Sequence, residues 1–386
     1  MSWRLDGRPL RRVLVTRLRY LGDVVMSTVV IEMLRRGDPD LRIDVLCEAS
    51  HATVLAGQPD VARVHALGAR RRGADARARA AAVATNVTPA RGTVATVRAL
   101  RRERYDLAVD LFFNPRSAWL LALAGIPRRI GGTESRSRGR LYTHRVARVP
   151  GAVRTLVERL TGGGGLADHL QRLAPLELDG RPATDWLAEA RQGGLIGPRL
   201  ARPPLDRSVT AQLEQLDAAS GAFTLLAPGA TWPTKEWPLE HWRTVAGELA
   251  GAGETPVVLQ PPGRPEVGRA LAGAIPAGRG GVLPVLALPE ALAVVAAARR
   301  LVTVDGGIMH AAVGMRVPTL ALFGPTAPEI WFPYEGHGPY RVLATRPACH
   351  PCDRHQCDAF ICLPDLVPAR VLQALQAHPF APPAPV

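Results

Sequence analysis

A single lysine lies in a loop whose residue types could bind a phosphate. Lys235 is the one lysine among 48 lysine and arginine residues, and it follows the apolar run Phe223 to Ala227 in the segment PGATWPTKEWP. The Pro-Gly pair lets the backbone approach a ligand closely, and a compact ammonium acts on a phosphate as a point charge. We therefore predict that Lys235, with the hydroxyls of Thr231 and Thr234, contacts a diphosphate. The alternative is a polar surface loop in which the lysine has survived by chance.

A glycine corner later in the chain could bind the same kind of group. Asp305-Gly306-Gly307 separates the apolar run Leu301 to Val304 from a segment with helical spacing, and a further apolar run follows Pro318. This pattern predicts a strand, a turn, a helix and a strand, with the free N–H groups of the helix N-terminus directed beyond the end of the first strand. Phosphate is the group that such donors favour. The alternative is an ordinary connection in which Asp305 only caps the helix.

A carboxylate near the start of the chain occupies a comparable position. Val13 to Thr16 form a short β-run, and Asp23 lies in the loop that follows, just before an apolar helical pattern from Val24 to Leu34. A second apolar run, Arg42 to Cys47, makes a right-handed βαβ unit and a parallel sheet the simplest interpretation. Asp23 could face a ligand from the helix N-terminus, or it could serve as a helix cap.

Four cysteines lie close together near the end of the chain. Cys349, Cys352, Cys357 and Cys362 give the pattern C-x2-C-x4-C-x4-C, in which only the first pair has standard zinc spacing. Disulfides are uncommon in cytosolic proteins. The two interpretations are therefore a structural zinc or metal cluster, and reduced thiols in a packed loop.

Composition restricts the class of protein and its location. With 386 residues, 47% of them hydrophobic and 21% charged, the chain is long enough for two globular domains. No apolar run is long enough to span a membrane, and the first residues lack the apolar core of a signal peptide, so we expect a cytoplasmic protein. The net charge of +14 indicates acidic partners, such as anionic lipid, phosphorylated sugar or nucleic acid. Nucleic acid is disfavoured, since aromatic residues are only 5% and no motif for it is found.

Two successive series of strands and helices define the predicted architecture. The first begins at Val13 and the second at Phe223, and a Gly- and Pro-rich segment separates them. We predict an α/β protein with two Rossmann-like domains facing each other across a cleft, residues 1–204 and 205–386, and we allow for the last helix packing back on the first domain. The first strand is not followed by a GxGxxG fingerprint, which disfavours a nicotinamide enzyme.

Four ordered segments resemble glycosyltransferase family 9, the ADP-heptose:lipopolysaccharide heptosyltransferases. They are VLVTRLRYLGDVVMSTVVIEMLRR, RRERYDLAVDLFFNPRSAWLLALAGIPRRIGG, LLAPGATWPTKEWPLEHW and VTVDGGIMHAAVGMRVPTLALFGPT, and they span nearly the full chain. The segment CHPCDRHQCDAFIC is similar to a cysteine-rich segment in part of the family. The resemblance implies a GT-B fold with an acceptor-binding N-terminal domain and a nucleotide-sugar-binding C-terminal domain. It also implies transfer with inversion that needs no metal.

The resemblance further implies roles for individual residues. Asp23 would be the general base that takes the proton of the acceptor hydroxyl, and Lys235 would stabilise the departing diphosphate. Asp305 would hold sugar hydroxyls, and Glu266, which follows the strand Pro256 to Gln260, would hold the ribose. The full donor-binding set is Gly229, Thr231, Thr234, Glu266, Asp305, Gly306, Gly307 and His310, and the acceptor-binding set is Arg17, Gly22, Arg128 and Arg129.

One position departs from the family pattern for binding the donor. Where the family has Asp, then Ser or Thr, then Gly, this chain has Asp305-Gly306-Gly307, so a hydroxyl donor to phosphate is absent. We predict a glycosyltransferase that moves heptose from ADP-heptose onto an acceptor such as the lipopolysaccharide inner core. We expect no catalytic cofactor, and structural zinc stays open.

The basic segment from Arg128 to Arg145 could meet an anionic, lipid-linked acceptor, which would bring the protein to the cytoplasmic face of the inner membrane, or it could be merely solvated. The alternatives are a transferase of the same fold with another nucleotide sugar or a small-molecule secondary-metabolite acceptor. A basic nucleic-acid-binding protein is the alternative from another class.

Overall fold

The chain folds into two α/β units. The computed structural model describes residues 1–68, 86–90, 92–148, 165–192 and 197–377. The first unit comprises Met1–Ala201 and the second Arg202–Val386, whereas the sequence placed the division after residue 204. Among the helices that the structure describes, none is long and apolar enough to cross a membrane.

Parallel strands and covering helices make up most of the first unit. Its strands are β1 (Trp3–Leu5), β2 (Arg8–Pro9), β3 (Arg12–Thr16), β4 (Arg42–Glu48), β5 (Arg63–Leu67), β6 (Val87–Ala90), β7 (Leu107–Asp110), β8 (Arg128–Gly132), β9 (His144–Val146), β10 (Glu177–Leu178) and β11 (Arg181–Pro182). Its helices are α1 (Leu21–Met26), α2 (Thr28–Gly37), α3 (Gly92–Glu103), α4 (Pro115–Leu123), α5 (Arg136–Gly139), α6 (Leu166–Gln171) and α7 (Ala183–Gln192), with a 3-10 turn at Ala52–Leu55.

A seven-stranded sheet with the order β6-β5-β4-β3-β7-β8-β9 forms the centre of this unit. All its pairings are parallel. The central strands are buried apolar runs, as expected where helices cover both faces of a parallel sheet. The chain starts in the middle at β3, moves outward to β6 and returns to β7. A topological switch point therefore lies between β3 and β7, the place where open α/β sheets bind ligands.

Trp3 anchors a small antiparallel sheet, β11-β10-β1-β2, to the first unit. Its side chain is fully buried, its indole N–H donates to the Leu34 carbonyl at 2.7 Å, and its ring contacts Trp186 edge-on. The ring lies against Gly37, where an added Cβ atom would come within 2.5 Å of it. Glycine at position 37 therefore allows the last turn of α2 to approach the indole.

The second unit repeats the same plan. Its strands are β12 (Thr224–Ala227), β13 (Pro256–Val258), β14 (Gly281–Val282), β15 (Arg300–Val304), β16 (Thr319–Phe323) and β17 (Tyr340–Ala344). Its helices are α8 (Arg207–Glu214), α9 (Leu239–Gly251), α10 (Pro265–Ala272), α11 (Leu288–Ala297), α12 (Gly307–Gly314), α13 (Pro328–Trp331) and α14 (Pro368–Ala377), with a 3-10 turn at Pro233–Lys235. The parallel order β14-β13-β12-β15-β16-β17 is the Rossmann order, and its switch point lies between β12 and β15.

The last described helix completes the core of the second unit. Val371, Ala374 and Leu375 of α14 belong to the apolar cluster that contains Trp237 and Trp242. The Trp237 indole N–H donates to the Leu366 carbonyl at 2.8 Å, which fixes the turn before α14. The apolar residues of α14 thus pack within its own unit.

Strand register decides which loops meet in each unit. Thr16 of β3 pairs with Asp110 of β7, and Ala227 of β12 pairs with Thr303 of β15. In parallel strands the following loops leave from the same edge. The loop that holds Lys235 therefore lies beside the corner that follows β15.

We expect Trp237→Ala to lower the free energy of unfolding of the second unit by about 3–5 kcal/mol, since it leaves a large cavity and an unpaired carbonyl. Urea unfolding of the full chain measures this loss. The matched control is Trp119→Ala, because Trp119 is 56% exposed and its loss should change stability by less than about 0.5 kcal/mol. Equal losses for the two variants would contradict the proposed role of Trp237.

Candidate functional site

A buried ion pair lies at the switch point of the second unit. The Lys235 ammonium nitrogen is 2.6 Å from a carboxylate oxygen of Asp305, with the two side chains 11% and 5% exposed. The Thr326 hydroxyl donates to the same oxygen at 2.6 Å. Burial alone would raise the pKa of Asp305, but Lys235, Thr326 and His310 together hold it below its ordinary value of 3.8. Asp305 is therefore a carboxylate at neutral pH.

Aromatic rings support the lysine from the other side. Its ammonium lies 4.1 Å from the centre of the Trp232 ring, a cation–π contact. Trp232 in turn stacks on His355, with ring centres 3.7 Å apart. Burial lowers the pKa of His355, and the nearby Lys235 lowers it further, which favours a neutral imidazole. Residues from three separate loops therefore fix the position of one ammonium group.

Two glycines bring the backbone close to this ion pair. A Cβ atom at Gly229 would lie 2.8 Å from Pro261, so only glycine lets the loop after β12 pack there. A Cβ atom at Gly306 would lie 3.8 Å from the Gly229 carbonyl oxygen, which shows that the two loops are neighbours. Helix α12 begins at Gly307, and its N-cap is Gly306 with no side-chain cap. The alternative that Asp305 only caps this helix is therefore wrong.

The other residues assigned to the donor have mixed positions. His310 is buried on α12, 3.4 Å from the Tyr334 hydroxyl, and Thr231 is exposed in the Lys235 loop. Thr234 is buried and its hydroxyl donates to the Arg354 carbonyl at 2.6 Å, so the structure does not support its contact with a diphosphate. Glu266 starts α10 beyond the end of β13, as expected, and is paired with Arg264.

Arg264 also pairs with Glu236, next to Lys235, and thereby ties the lysine loop to α10. The hydrogen bond from Arg264 lowers the pKa of Glu266. The assignment of Glu266 to a ribose stays a prediction.

The cysteine-rich loop contributes to the site through residues other than its cysteines. Asp353 is 5% exposed, its carboxylate feels the charges of both Lys235 and Asp305, and its backbone N–H donates to the Pro325 carbonyl at 3.0 Å. The sequence pattern drew attention to the thiols and missed Asp353, His355, Trp232 and Thr326. Trp232 and Thr326 carried a usable signal, since each follows a buried strand that ends at this edge.

The thiols themselves do not form a ligand set in this structure. Within the described residues, no group of three or more His, Cys, Asp or Glu side chains is arranged to hold a metal ion. Cys349 is exposed. Burial raises the pKa of Cys362, and the nearby Cys352 and Cys357 contribute to the rise. Structural zinc at Cys349, Cys352, Cys357 and Cys362 stays a prediction that this arrangement does not support.

A second carboxylate is held at the switch point of the first unit. Asp23 forms an ion pair with Arg17, which is 1% exposed. Arg17 also donates to the Leu111 carbonyl at 2.8 Å and lies over the Phe112 ring. Burial lowers the pKa of Arg17, while Asp23 and Asp110 act in the opposite direction. Arg17 thus helps to position Asp23, and the acceptor contact that the family resemblance implies for it stays a prediction.

Asp23 has the helix-capping role that the sequence left open, while its role toward a ligand stays a prediction. It occupies the third position of α1, and its other oxygen accepts the Tyr20 N–H at 3.2 Å, so it helps to start the helix. Gly22 precedes it in the first turn. The Asp23 side chain is 13% exposed, and it influences the charge of His51, a neighbour that the sequence analysis missed.

Arg128 and Arg129 lie at the wrong edge of the sheet for a role beside Asp23. They begin β8 and pair in register with Leu107 and Ala108, at the amino ends of the strands. Arg129 donates to the carbonyls of Ile126 and Leu141, and Arg128 lies near Asp6. Asp23 follows the carboxyl end of β3. The assignment of Arg128 and Arg129 to the acceptor stays a prediction, and their position at the amino edge, away from Asp23, does not support it.

Other arginines occupy the correct edge. Helix α5 follows the carboxyl end of β8, and its Arg138 donates to the Phe113 carbonyl at 2.8 Å while lying over the Phe113 ring. Arg19 lies over the rings of Tyr20 and Phe112. The basic segment of the sequence contained Arg138, but only the strand direction distinguishes it from Arg128 and Arg129.

We expect Asp353→Asn to stabilise the protein near neutral pH. Burial raises the pKa of Asp353 from 3.8 to about 6, despite an opposing effect of Lys235. The folded chain thus binds a proton more tightly than the unfolded chain, and stability from this group falls as the pH rises through about 4 to 6. Because asparagine does not ionise, the rise in Tm over wild type should be larger at about pH 7.5 than at about pH 4.5. An equal difference at both values would contradict the assignment.

Comparison with known proteins extends these observations to the whole chain. The sequence model of glycosyltransferase family 9 (heptosyltransferase) matches residues 93–359. The chain is 29% identical to lipopolysaccharide heptosyltransferase 1 of Pseudomonas aeruginosa, over 96% of this chain and 99% of that protein. It is 26% identical to lipopolysaccharide heptosyltransferase 2 of Escherichia coli, over 95% and 98%.

Solved structures agree with the fold. The structure of E. coli ADP-heptose lps heptosyltransferase II is similar with a TM-score of 0.66 and 25% identity, over 95% of this chain and 98% of that one. The glycosyl transferase family 9 protein of Veillonella parvula gives the same TM-score at 18% identity, over 95% and 96%. The predicted GT-B class, built from Rossmann-like units, is confirmed, and the protein is a glycosyltransferase. Since the family's sequence model matches well over half of its length, the chain belongs to glycosyltransferase family 9.

Proposed function

We propose that this protein transfers a heptose from ADP-heptose to a lipopolysaccharide acceptor, with inversion at the anomeric carbon and without a catalytic metal. The observation that carries the proposal is the buried ion pair of Lys235 and Asp305 at the switch point of the second unit. It supports a site for a diphosphate in a chain whose relatives include lipopolysaccharide heptosyltransferases. A structurally similar protein, E. coli heptosyltransferase WaaC, has been solved with ADP-2-deoxy-2-fluoro heptose.

The second unit supplies positive charge where the leaving group would lie. An ammonium has three N–H donors, and the bond to Asp305 uses one of them. The remaining donors and the first N–H groups of α12 would contact the oxygens of a diphosphate, on which negative charge grows as its bond to the sugar breaks. Lys235 thus provides the electrostatic stabilisation that a divalent cation gives in other transferases.

Asp305 has two tasks in this proposal. Its carboxylate holds Lys235 in place before the donor arrives, and its hydrogen-bonding capacity can serve sugar hydroxyls once the ammonium turns toward phosphate. Thr326 keeps one oxygen of Asp305 satisfied throughout. The absent hydroxyl at Gly306 leaves phosphate binding to backbone N–H groups and Lys235.

The first unit supplies the base. Asp23 accepts the proton of the acceptor hydroxyl as that oxygen forms its bond to the anomeric carbon and the bond from this carbon to the diphosphate breaks. Arg17 fixes the carboxylate through a buried ion pair. Arg19 and Arg138, at the same edge of the sheet, replace Arg128 and Arg129 as our candidates for contact with acidic groups of the acceptor.

A panel of nucleotide sugars tests the proposal. We expect ADP-heptose to be consumed with a lipopolysaccharide inner-core acceptor, and mass spectrometry should show the acceptor heavier by one heptose. Turnover with only another nucleotide sugar, or with only a small-molecule acceptor, would reject the proposed substrate and keep the assignment as a glycosyltransferase. No consumption of any donor, together with salt-steep binding of DNA or RNA, would favour a nucleic-acid-binding protein.

The same assay tests the mechanism. Turnover should persist in excess EDTA with the fold intact, as circular dichroism can verify. The anomeric configuration of the product, read by NMR coupling constants, should be opposite to that of the donor. Loss of turnover in EDTA without unfolding would contradict metal independence, and a retained configuration would contradict direct displacement.

We expect Asp23→Ala and Lys235→Ala each to lower kcat by at least about a hundredfold, since one removes the base and the other the charge beside the leaving group. Arg128→Ala is the matched control, because it lies at the opposite edge of its sheet from Asp23, and it should keep kcat within about twofold. Asp23→Asn is a second test of the base, since it preserves the side-chain volume beside Arg17. A loss of activity in this variant cannot be attributed to misfolding. Wild-type rates in the first two variants would remove both assignments.

A further inference from the structure

Two packed helices of the first unit expose apolar side chains in one place. Trp119 and Leu123 on α4 are 56% and 46% exposed, and Val94 on α3 is 63% exposed. Exposed apolar residues scattered singly are normal, whereas a cluster on adjacent elements marks an interaction surface. These three residues and the arginines described below are called the α3–α4 face.

The geometry of the helices places these side chains on a common surface. Trp119 and Leu123 are one helical turn apart and share one side of α4, about 6 Å from each other along its axis. Helices α3 and α4 pack side by side. The Arg101 guanidinium donates to the Leu123 carbonyl at 3.0 Å, which ties the end of α3 to the end of α4. The face is therefore a rigid feature and not a set of unrelated positions.

The charge of the α3–α4 face is strongly positive. Residues 92–127, all of which the structure describes, contain five arginines: Arg98, Arg101, Arg102, Arg104 and Arg116. The same stretch has three acidic residues, and each is already engaged.

Glu103 pairs with Arg42 and Arg63. Asp106 accepts the backbone N–H groups of Arg11 and Arg12, and Asp110 is fully buried. Of the five arginines, Arg116 pairs with Glu48 at 3.4 Å. The other four are exposed, and the acidic residues of this stretch do not neutralise them.

We propose that the α3–α4 face docks the protein on a membrane that contains anionic lipid. A tryptophan with aliphatic neighbours, surrounded by arginines, is the combination that the boundary between headgroups and acyl chains favours. The indole and Leu123 enter the boundary, and the arginines lie among the lipid phosphates, with their aliphatic stems against the apolar groups. A nucleic acid would leave Leu123 and Val94 without an apolar environment.

This inference rests on the proposed function in one respect, since an acceptor carried by lipid must be reached at a membrane surface. Its test does not depend on turnover. Sedimentation with sucrose-loaded vesicles measures binding of the full chain without donor or acceptor. The vesicles are phosphatidylcholine with and without about 30% phosphatidylglycerol, an anionic fraction on the order of that in a bacterial membrane.

Wild type should bind the anionic vesicles at least about tenfold more tightly than the neutral ones. The double variants Trp119→Ser/Leu123→Ser and Arg98→Glu/Arg102→Glu should each weaken that binding by about tenfold or more, because one removes the inserted groups and the other reverses the charge. The matched control, Val285→Ser/Arg279→Glu, changes an exposed apolar residue and an exposed arginine of the second unit and should bind as wild type. Unchanged Tm values verify that the variants are folded.

Each other outcome would overturn the inference. Equal losses in the control and the α3–α4 variants would show non-specific attraction of a basic protein. Unchanged binding in both α3–α4 variants, or wild-type binding to neutral vesicles only, would exclude the face as a site for anionic lipid. Binding of nucleic acid through the same arginines, with no vesicle binding, would assign the face to another partner. If no donor in the panel is consumed but the protein still binds anionic vesicles, the proposed function is rejected and the inference about the α3–α4 face stands.

Discussion

The contact on which the second unit's site depends is the buried pair of Lys235 and Asp305. Taking two charges out of water is unfavourable unless each finds compensating partners. Asp305 has them in Lys235 and Thr326, and Lys235 has them in Asp305 and the Trp232 ring. These partners come from loops after β12, β15 and β16. The ammonium is therefore held in a largely buried position, where a charge acts most strongly on a phosphate.

The first unit applies the same principle to a carboxylate. Arg17 is almost fully buried and forms an ion pair with Asp23. Each charge compensates the cost of removing the other from water. The backbone carbonyl of Leu111 and the face of Phe112 complete the surroundings of Arg17. In both units an arginine or lysine and an aspartate meet where the strand order reverses, since only there do two adjacent loops diverge and leave room for a ligand. The chemistry is thus set by topology as much as by residue type.

Charged groups in this chain are divided between the edges and the faces of the sheets. The carboxyl edges hold the buried ion pairs of Asp23 and Lys235. The outer helices α3 and α4 hold exposed arginines and an exposed tryptophan, which suit a broad and less specific contact. The cysteine-rich loop also contributes to the carboxyl edge of the second unit. Its Asp353 lies near Lys235, and its His355 stacks on the Trp232 ring.

The sequence by itself determined most of the elements and the candidates for the reactive groups. Apolar β-branched runs, glycine corners and the single lysine were enough to predict two Rossmann-like units, the loop of Lys235, the corner at Asp305 and the position of Asp23. These are local properties, since each depends on residues close together in the chain. Only the tertiary structure decided which groups are in contact. Lys235 forms an ion pair with Asp305, Arg17 forms one with Asp23, and the Thr234 hydroxyl donates a hydrogen bond to the Arg354 carbonyl. It also decided that Arg128 and Arg129 lie at the amino end of β8. The density of charge along a sequence carries no information about strand direction. The register of a parallel sheet, in contrast, assigns every loop to one edge or the other.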